Sequence, residues 1–143
     1  MSKIIIGDTS FWIGLFIQGD GYHNSSKEIY DLNCDTSTFL VPWPTMYETL
    51  RTHFVRNYNA VKRFEKELKR ISFIKYGDRK IREKALEEVF ETNGTHLSLT
   101  DAVIREIIRS GKTNINSIIT SNKKDFIDVC QKFKVDIHEL SLA

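Results

Sequence analysis

Lys3-Ile4-Ile5-Ile6-Gly7-Asp8-Thr9-Ser10 is the stretch on which the fold turns. A short, β-branched, uninterrupted run reads as a strand buried on both faces, the mark of a parallel sheet. An acid, Asp8, follows at once, where the strand hands over to a helix. Acidic or amide side chains stand at comparable places further along. Glu48 comes after Phe39-Leu40-Val41-Pro42, Asp101 lies just inside the helical run from Ser98, and Asn122 and Asp125 come after Ile118-Ile119-Thr120. In open parallel sheets, ligands bind outside the carboxyl ends of the strands. Side chains remote in sequence then gather at one edge.

Outward from these runs the pattern alternates between strand and helix. Helices are predicted over about Ser10–Gln18, apolar nearly all round and ended by Gly19-Asp20-Gly21, and over about Asn24–Leu32. A strand over Thr38–Val41 precedes a helix opened by Thr45, with Tyr47, Leu50, Phe54 and Tyr58 on one face. Val61, Phe64, Leu68 and Ile71 continue at helical spacing, and Ser72–Tyr76 alternates as a short strand. Ile81–Glu91 is amphipathic, with Ala85, Leu86, Val89 and Phe90 on one side and Asn93-Gly94 closing it. A helix over Ser98–Ser110 ends at Gly111, a strand covers Ser117–Thr120, a helix covers Asn122–Phe133, and a last strand covers Val135–Ile137. This alternation predicts an α/β fold with a parallel sheet.

Bulk properties narrow the class. A chain of 143 residues suits one domain with a real core. Its net charge of +2 commits it to no global field, so nucleic-acid binding would have to come from a local patch. Cys34 and Cys130 fit no metal spacing and read as buried thiols of a reduced, cytoplasmic protein. The apolar N-terminus is interrupted by Asp8 and lacks a small-residue cleavage site, so it does not read as a signal peptide. No apolar stretch is long enough to span a bilayer.

Each acid has a structural reading as well as a chemical one. Thr45-Met46-Tyr47-Glu48 and Ser98-Leu99-Thr100-Asp101 are capping boxes, Asn122 with Asp125 has the same form, and Asp8 can begin a helix. One cap contributes about 1 kcal/mol. Two unit charges about 4 Å apart repel by about 4 kcal/mol at an effective dielectric of about 20. Acids that converge therefore need a cation between them. Magnesium and manganese favour hard oxygen ligands and retained waters. Asp8, Glu48 and Asp101 would hold such an ion, directly or through water. Thr9 or Ser10 would steady a ligand water or a phosphate from the first helical turn.

Four segments together resemble the PIN-domain family, and in particular its small VapC-type toxins. They are Ile6-Gly7-Asp8-Thr9-Ser10, Pro42-Trp43-Pro44-Thr45-Met46-Tyr47-Glu48, Leu97-Ser98-Leu99-Thr100-Asp101-Ala102 and Ile119-Thr120-Ser121-Asn122-Lys123-Lys124-Asp125-Phe126. The resemblance covers essentially the whole chain, residues 1–143, as a single PIN-like domain. It implies a three-layer α/β/α sandwich around a mainly parallel sheet of four to five strands. It also implies a Mg2+ or Mn2+ site and ribonuclease activity on single-stranded or structured RNA. By position, Asp8, Glu48 and Asp101 match the family's principal acids. Asn122 stands where a fourth acid often falls, which leaves a second metal ion in doubt and makes Asp125 a candidate ligand. The implied chemistry is metal-assisted hydrolysis of a phosphodiester, with the carboxylates positioning the ion. A homodimer and an antitoxin protein covering the acidic pocket are further implications.

Other features are weighed against plainer readings. Arg51 lies one helical turn from Glu48, either near the phosphate or paired with Glu48. Lys62, Arg63, Lys66, Lys69 and Arg70, and then Arg79, Lys80, Arg82 and Lys84, decorate two helices. Interleaved glutamates favour a solvated face over an RNA track. Phe11, Trp12, Ile13, Leu15, Phe16 and Ile17 make the first helix apolar nearly all round, so it is central core or part of an interface, with core the reading for most of them. Tyr22, Tyr30, Trp43 and Tyr58 either pack or line a partner groove. His23, His53, His96 and His138 form no ligand-spaced pair. The alternative in a different class is a PIN-shaped RNA- or protein-binding module without turnover. A phosphatase-like or receiver domain ranks lower, because the first strand lacks an Asp-x-Asp pair.

Overall fold

The computed structural model describes residues 3–70, 73–77, 79–91 and 97–142. β1 (Lys3–Gly7) is the central strand, with β2 (Ser37–Pro42) on one side and β4 (Ser117–Thr120) on the other. β3 (Phe73–Tyr76) lies outside β2 and β5 (Asp136–Glu139) outside β4, so the order is β3-β2-β1-β4-β5. Every pairing is parallel, with Ile5 opposite both Phe39 and Ser117. The chain builds outward from β1 to β3, returns past β1, and builds outward again. The order therefore reverses between β1 and β4, the place where such sheets bind ligands.

Helices cover both faces, as the pleat of the strands requires. Ile5, Phe39, Val41 and Ile119 point to one face, and Ile6, Leu40 and Ile118 to the other. The first face packs against α1 (Thr9–Phe16), α3 (Trp43–Thr49), α4 (Thr52–Val55) and α5 (Tyr58–Leu68), with α2 (His23–Asn33) flanking α1. The second packs against α6 (Arg79–Glu91), α7 (Leu99–Ser110) and α8 (Ile127–Phe133). Right-handed crossovers put helices on opposite faces once the direction of travel reverses. This is the three-layer α/β/α architecture that the resemblance implies.

The aromatic knot under α1 fixes Asp8. Phe11 and Trp12 are fully buried and pack on Phe39, and Trp12 stacks on Phe64. The Trp12 indole N–H donates to the Gly7 carbonyl at 3.0 Å. A Cβ at Gly7 would lie 2.5 Å from the Phe11 ring, so only glycine lets the helix turn back this tightly.

Several predicted elements change. The helix expected from Thr45 starts at Trp43, with Pro44 in the first turn, where its missing N–H costs nothing. It ends at Leu50, and Asn57 caps a new helix by accepting from the Ala60 N–H at 3.1 Å. The expected single face is therefore divided: Phe54 is buried, whereas Tyr47 and Tyr58 are over 70% exposed (74% and 71%). The helix expected from Asn122 is a 3-10 turn, Lys123–Asp125, before α8, because Phe126 leaves helical geometry as it enters the core. On α6, Ala85 is buried but Leu86 and Phe90 face solvent. α1 stops at Phe16, and β5 runs two residues past Ile137 to Glu139. Cys130 is buried, its thiol pushed up to about 11 chiefly by burial, but Cys34 is only half-buried; both are free. Ile71, Ser72, Asn93-Gly94 and His96 lie outside the described residues.

Candidate active site

The carboxyl edge of the sheet brings the predicted acids toward one another. Asp8 follows β1 and caps α1: its Oδ1 accepts from the Phe11 N–H at 3.2 Å and from the Ser10 hydroxyl at 2.6 Å. Its own N–H donates to the Ile119 carbonyl at 3.0 Å, tying it to β4 across the reversal point. Thr120, at the end of β4, also hydrogen-bonds its carboxyl. Burial pushes the Asp8 carboxyl above the usual carboxylate range, and these hydrogen bonds pull it only partly back.

Asp101 approaches from α7. Ser98 caps that helix, its Oγ accepting from the Asp101 N–H at 3.1 Å. The capping reading is thus correct here, and it coexists with the chemical one. The Asp101 carboxyl is pushed up to about 7 by burial first, then by its hydrogen bond with Asp125 and the nearby charge of Asp8. Asp8, Asp101 and Asp125 therefore form one electrostatic unit. Asn122 does not cap the 3-10 turn; its Nδ2 donates to Asp125 Oδ2 at 2.6 Å. The amide positions the neighbouring acid.

Glu48 behaves differently. Its Oε2 accepts from the Thr100 hydroxyl at 2.9 Å, one residue before Asp101. The capping box expected with Thr45 is not formed, since Thr45 is buried and its hydroxyl has no partner among the described residues. Thr100 links α3 to α7 at the site's margin. Arg51 is exposed and makes no ion pair with Glu48 among the described residues. It lines, with Glu48, Thr9 and Ser10, a cleft of about 380 Å³ beside the acids. Thr9 is buried in its wall, and its hydroxyl also lacks a partner among the described residues.

The donor set suits a hard divalent cation: carboxylates, an amide oxygen and hydroxyls. Among the described residues, no three acidic, histidine or cysteine side chains are already disposed to hold a metal ion. Asp125 instead lies close enough to Asp101 to help keep a proton on its carboxyl. A cation entering between them would take that proton's place.

Sequence reasoning does not reach Arg105. It is buried on α7, one turn beyond Asp101, and its guanidinium donates to Asp128, to Glu88 and to the Asp125 carbonyl at 2.8 Å. Its partners lie on separate elements, so spacing gives no sign of the network; only a charge on an otherwise apolar helix face marks it. Thr120 and Thr100 are equally invisible, being hydroxyls next to the motifs.

No protein-family model matches this chain, and no curated protein is similar to it in sequence. Among solved structures, it is similar to Mycobacterium tuberculosis VapC20, a toxin that cleaves the sarcin-ricin loop. The TM-score is 0.66 at 21% identity, over 80% of this chain and 86% of that one. The fold is the PIN fold of that neighbour.

Proposed function

We propose that the protein is a divalent-metal-dependent endoribonuclease, the toxin of a toxin–antitoxin pair. The observation that carries this reading is the crowding of Asp8, Asp101 and Asp125 at the strand-order reversal, with two carboxyls held above their ordinary range. A bound Mg2+ or Mn2+ would supply Lewis-acid stabilisation and a more acidic water. Asp8, Asp101 and Asp125 would hold it, with Glu48 reaching in from the margin. Ser10 and Thr120 fix the Asp8 carboxyl, Ser98 fixes Asp101, and Asn122 fixes Asp125. Arg51 lines the cleft where a phosphate would lie, and Thr9 is buried in its wall.

The fold neighbour's described action makes a structured ribosomal RNA loop the first substrate to assay. Cleavage should require Mg2+ or Mn2+, stop with chelator and be lost in Asp101→Asn. Chelator-resistant cleavage that survives this substitution would contradict the reading. The amide at Asn122, and the engagement of Glu48 by the Thr100 hydroxyl, favour one rival, an RNA-binding module without turnover. Tight RNA binding with no cleavage at any metal concentration would establish that rival.

A further inference from the structure

Beside the acids, at the same sheet edge, stands a second surface that the acid chemistry does not use. β2 ends at Pro42 and β3 at Tyr76, and the residues just beyond them form a cleft of about 350 Å³. Its lining is Trp43, Pro44, Tyr47, Gly77, Arg79 and Arg82. Trp43 and Tyr47 are 41% and 74% exposed, and their ring centroids lie 6.0 Å apart at 41°. Adjoining exposed rings bordered by charged side chains form the kind of apolar patch that marks an interaction site. Gly77 makes the cleft possible: a Cβ there would sit 2.9 Å from Trp43 Cδ1, so the indole rests against bare backbone. Arg79 and Arg82 on the first turns of α6 are exposed, and neither forms an ion pair among the described residues. Among the described residues, no carboxylate lines the cleft. This contrasts with α5 and the residues just after it, where Lys62, Lys69 and Arg70 are all paired with glutamates.

We propose that Trp43 and Tyr47 form a stacking platform for a base of single-stranded RNA, with Arg79 and Arg82 holding its flanking phosphates. The proposal rests on the ribonuclease reading and specifies where the substrate runs. A π-face receives any base, and planar guanidinium groups receive phosphate oxygens. The negatively charged phosphate backbone complements both exposed arginines. Placement agrees with this. β1 and β2 are neighbouring strands, so the backbone after them leaves the sheet on the order of 5 Å apart. Tyr47 also precedes Glu48 on α3. A strand of RNA crossing the edge would pass from the acids onto the rings.

The test measures binding apart from cleavage. A labelled short single-stranded RNA is titrated in chelator against the intact protein, with anisotropy as one readout and Trp43 fluorescence quenching as the other. Trp43→Ala should weaken binding roughly tenfold, and Trp43→Phe should restore most of it, since stacking tolerates either ring. The Arg79→Ala/Arg82→Ala double variant should weaken binding and flatten its salt dependence. An oligonucleotide abasic throughout should bind weakly and no longer distinguish Trp43→Ala from wild type. Unchanged RNA affinity in Trp43→Ala would overturn the platform even if the protein cleaves RNA. Unchanged affinity together with altered self-association would assign the face to protein contact and overturn it equally. Trp43-dependent binding in a protein that never cleaves would keep the platform and remove the nuclease.

Discussion

Helix α7 carries two acidic neighbourhoods, one turn apart, with opposite electrostatics. Around Arg105, the acids Glu88 and Asp128 meet a resident cation. Arg105 holds Asp128 down to about 2, chiefly through its hydrogen bond. Around Asp101, the neighbouring acids are Asp8 and Asp125, no basic side chain pairs with them among the described residues, and the carboxyl rises to about 7. Arg105 is near enough in sequence to serve both, yet its donors go to Glu88, Asp128 and the Asp125 carbonyl. The first cluster is complete and clamps α6, α7 and α8 together. The second has no basic partner among the described residues. The difference teaches that an acidic cluster is informative when its counter-charge is missing.

The largest effect expected from breaking this contrast is on catalysis. Asp101→Asn should lower RNA cleavage by more than about a hundredfold, since losing a metal ligand costs at least as much as losing its outer support. The same variant, free of metal at pH 8, should melt a few degrees higher than wild type, because like-charge repulsion is relieved. Differential scanning fluorimetry in chelator reads this directly. Reduced activity together with a lowered melting temperature would point to a structural role.

Arg105→Ala should do the reverse. It leaves Glu88 with Arg109 alone, leaves Asp128 without its cation, and releases the Asp125 carbonyl. With Asp128 largely exposed and Glu88 still paired to Arg109, the cost is about 1.5 kcal/mol, and for a chain of this size that corresponds to a melting temperature roughly 5 °C lower. Arg105→Lys keeps the charge without the fork and should recover only part of the loss. A melting temperature unchanged by Arg105→Ala would remove the clamp.

The two clusters should also oppose each other in pH dependence. The folded Asp101 carboxyl titrates near 7, above its ordinary 3.8, so the folded state holds the extra proton between those values. Its contribution is full below 3.8 and is lost as pH rises through about 7. Asp128, at about 2, contributes above 3.8 and loses that contribution as pH falls toward 2. Its side chain is 64% exposed, so screening keeps this contribution small. Metal-free protein should therefore melt progressively higher from pH 8 to 5, and saturating Mn2+ should flatten that slope.

The smallest effect is expected at the margin. Thr100→Val removes the hydroxyl that holds Glu48. Cleavage should fall a few-fold, with about 1 kcal/mol or less lost in stability. A loss as deep as that of Asp101→Asn would make Glu48 a full member of the acidic unit.

Much of this contrast is legible in the sequence, and the rest is hidden for physical reasons. The β1 and β4 runs announce themselves because a strand buried on both faces has little choice but β-branched residues. Asp8 and Ser98-to-Asp101 are legible as caps, and the caps are real. The breaks between α3, α4 and α5 are not legible from apolar spacing, because Leu50 and Phe54 keep a helical interval across a chain that has left the helix. Asn57 is the signal that marks the restart. The Asn122 segment deceives for the opposite reason: a capping pattern is present, but its two side chains bond each other. Arg105 is out of reach because its partners come from three separate segments.

The central claim is that Asp8, Asp101 and Asp125 await a divalent cation. Calorimetric titration of Mn2+ into chelator-stripped protein at pH 7.5 tests it most directly, with Asp8→Asn and Asp101→Asn as companions. Saturable binding by the wild type, with proton release and with its loss in both variants, is the predicted result. Wild-type protein that binds no Mn2+, or variants that bind it as well as wild type does, would contradict the account.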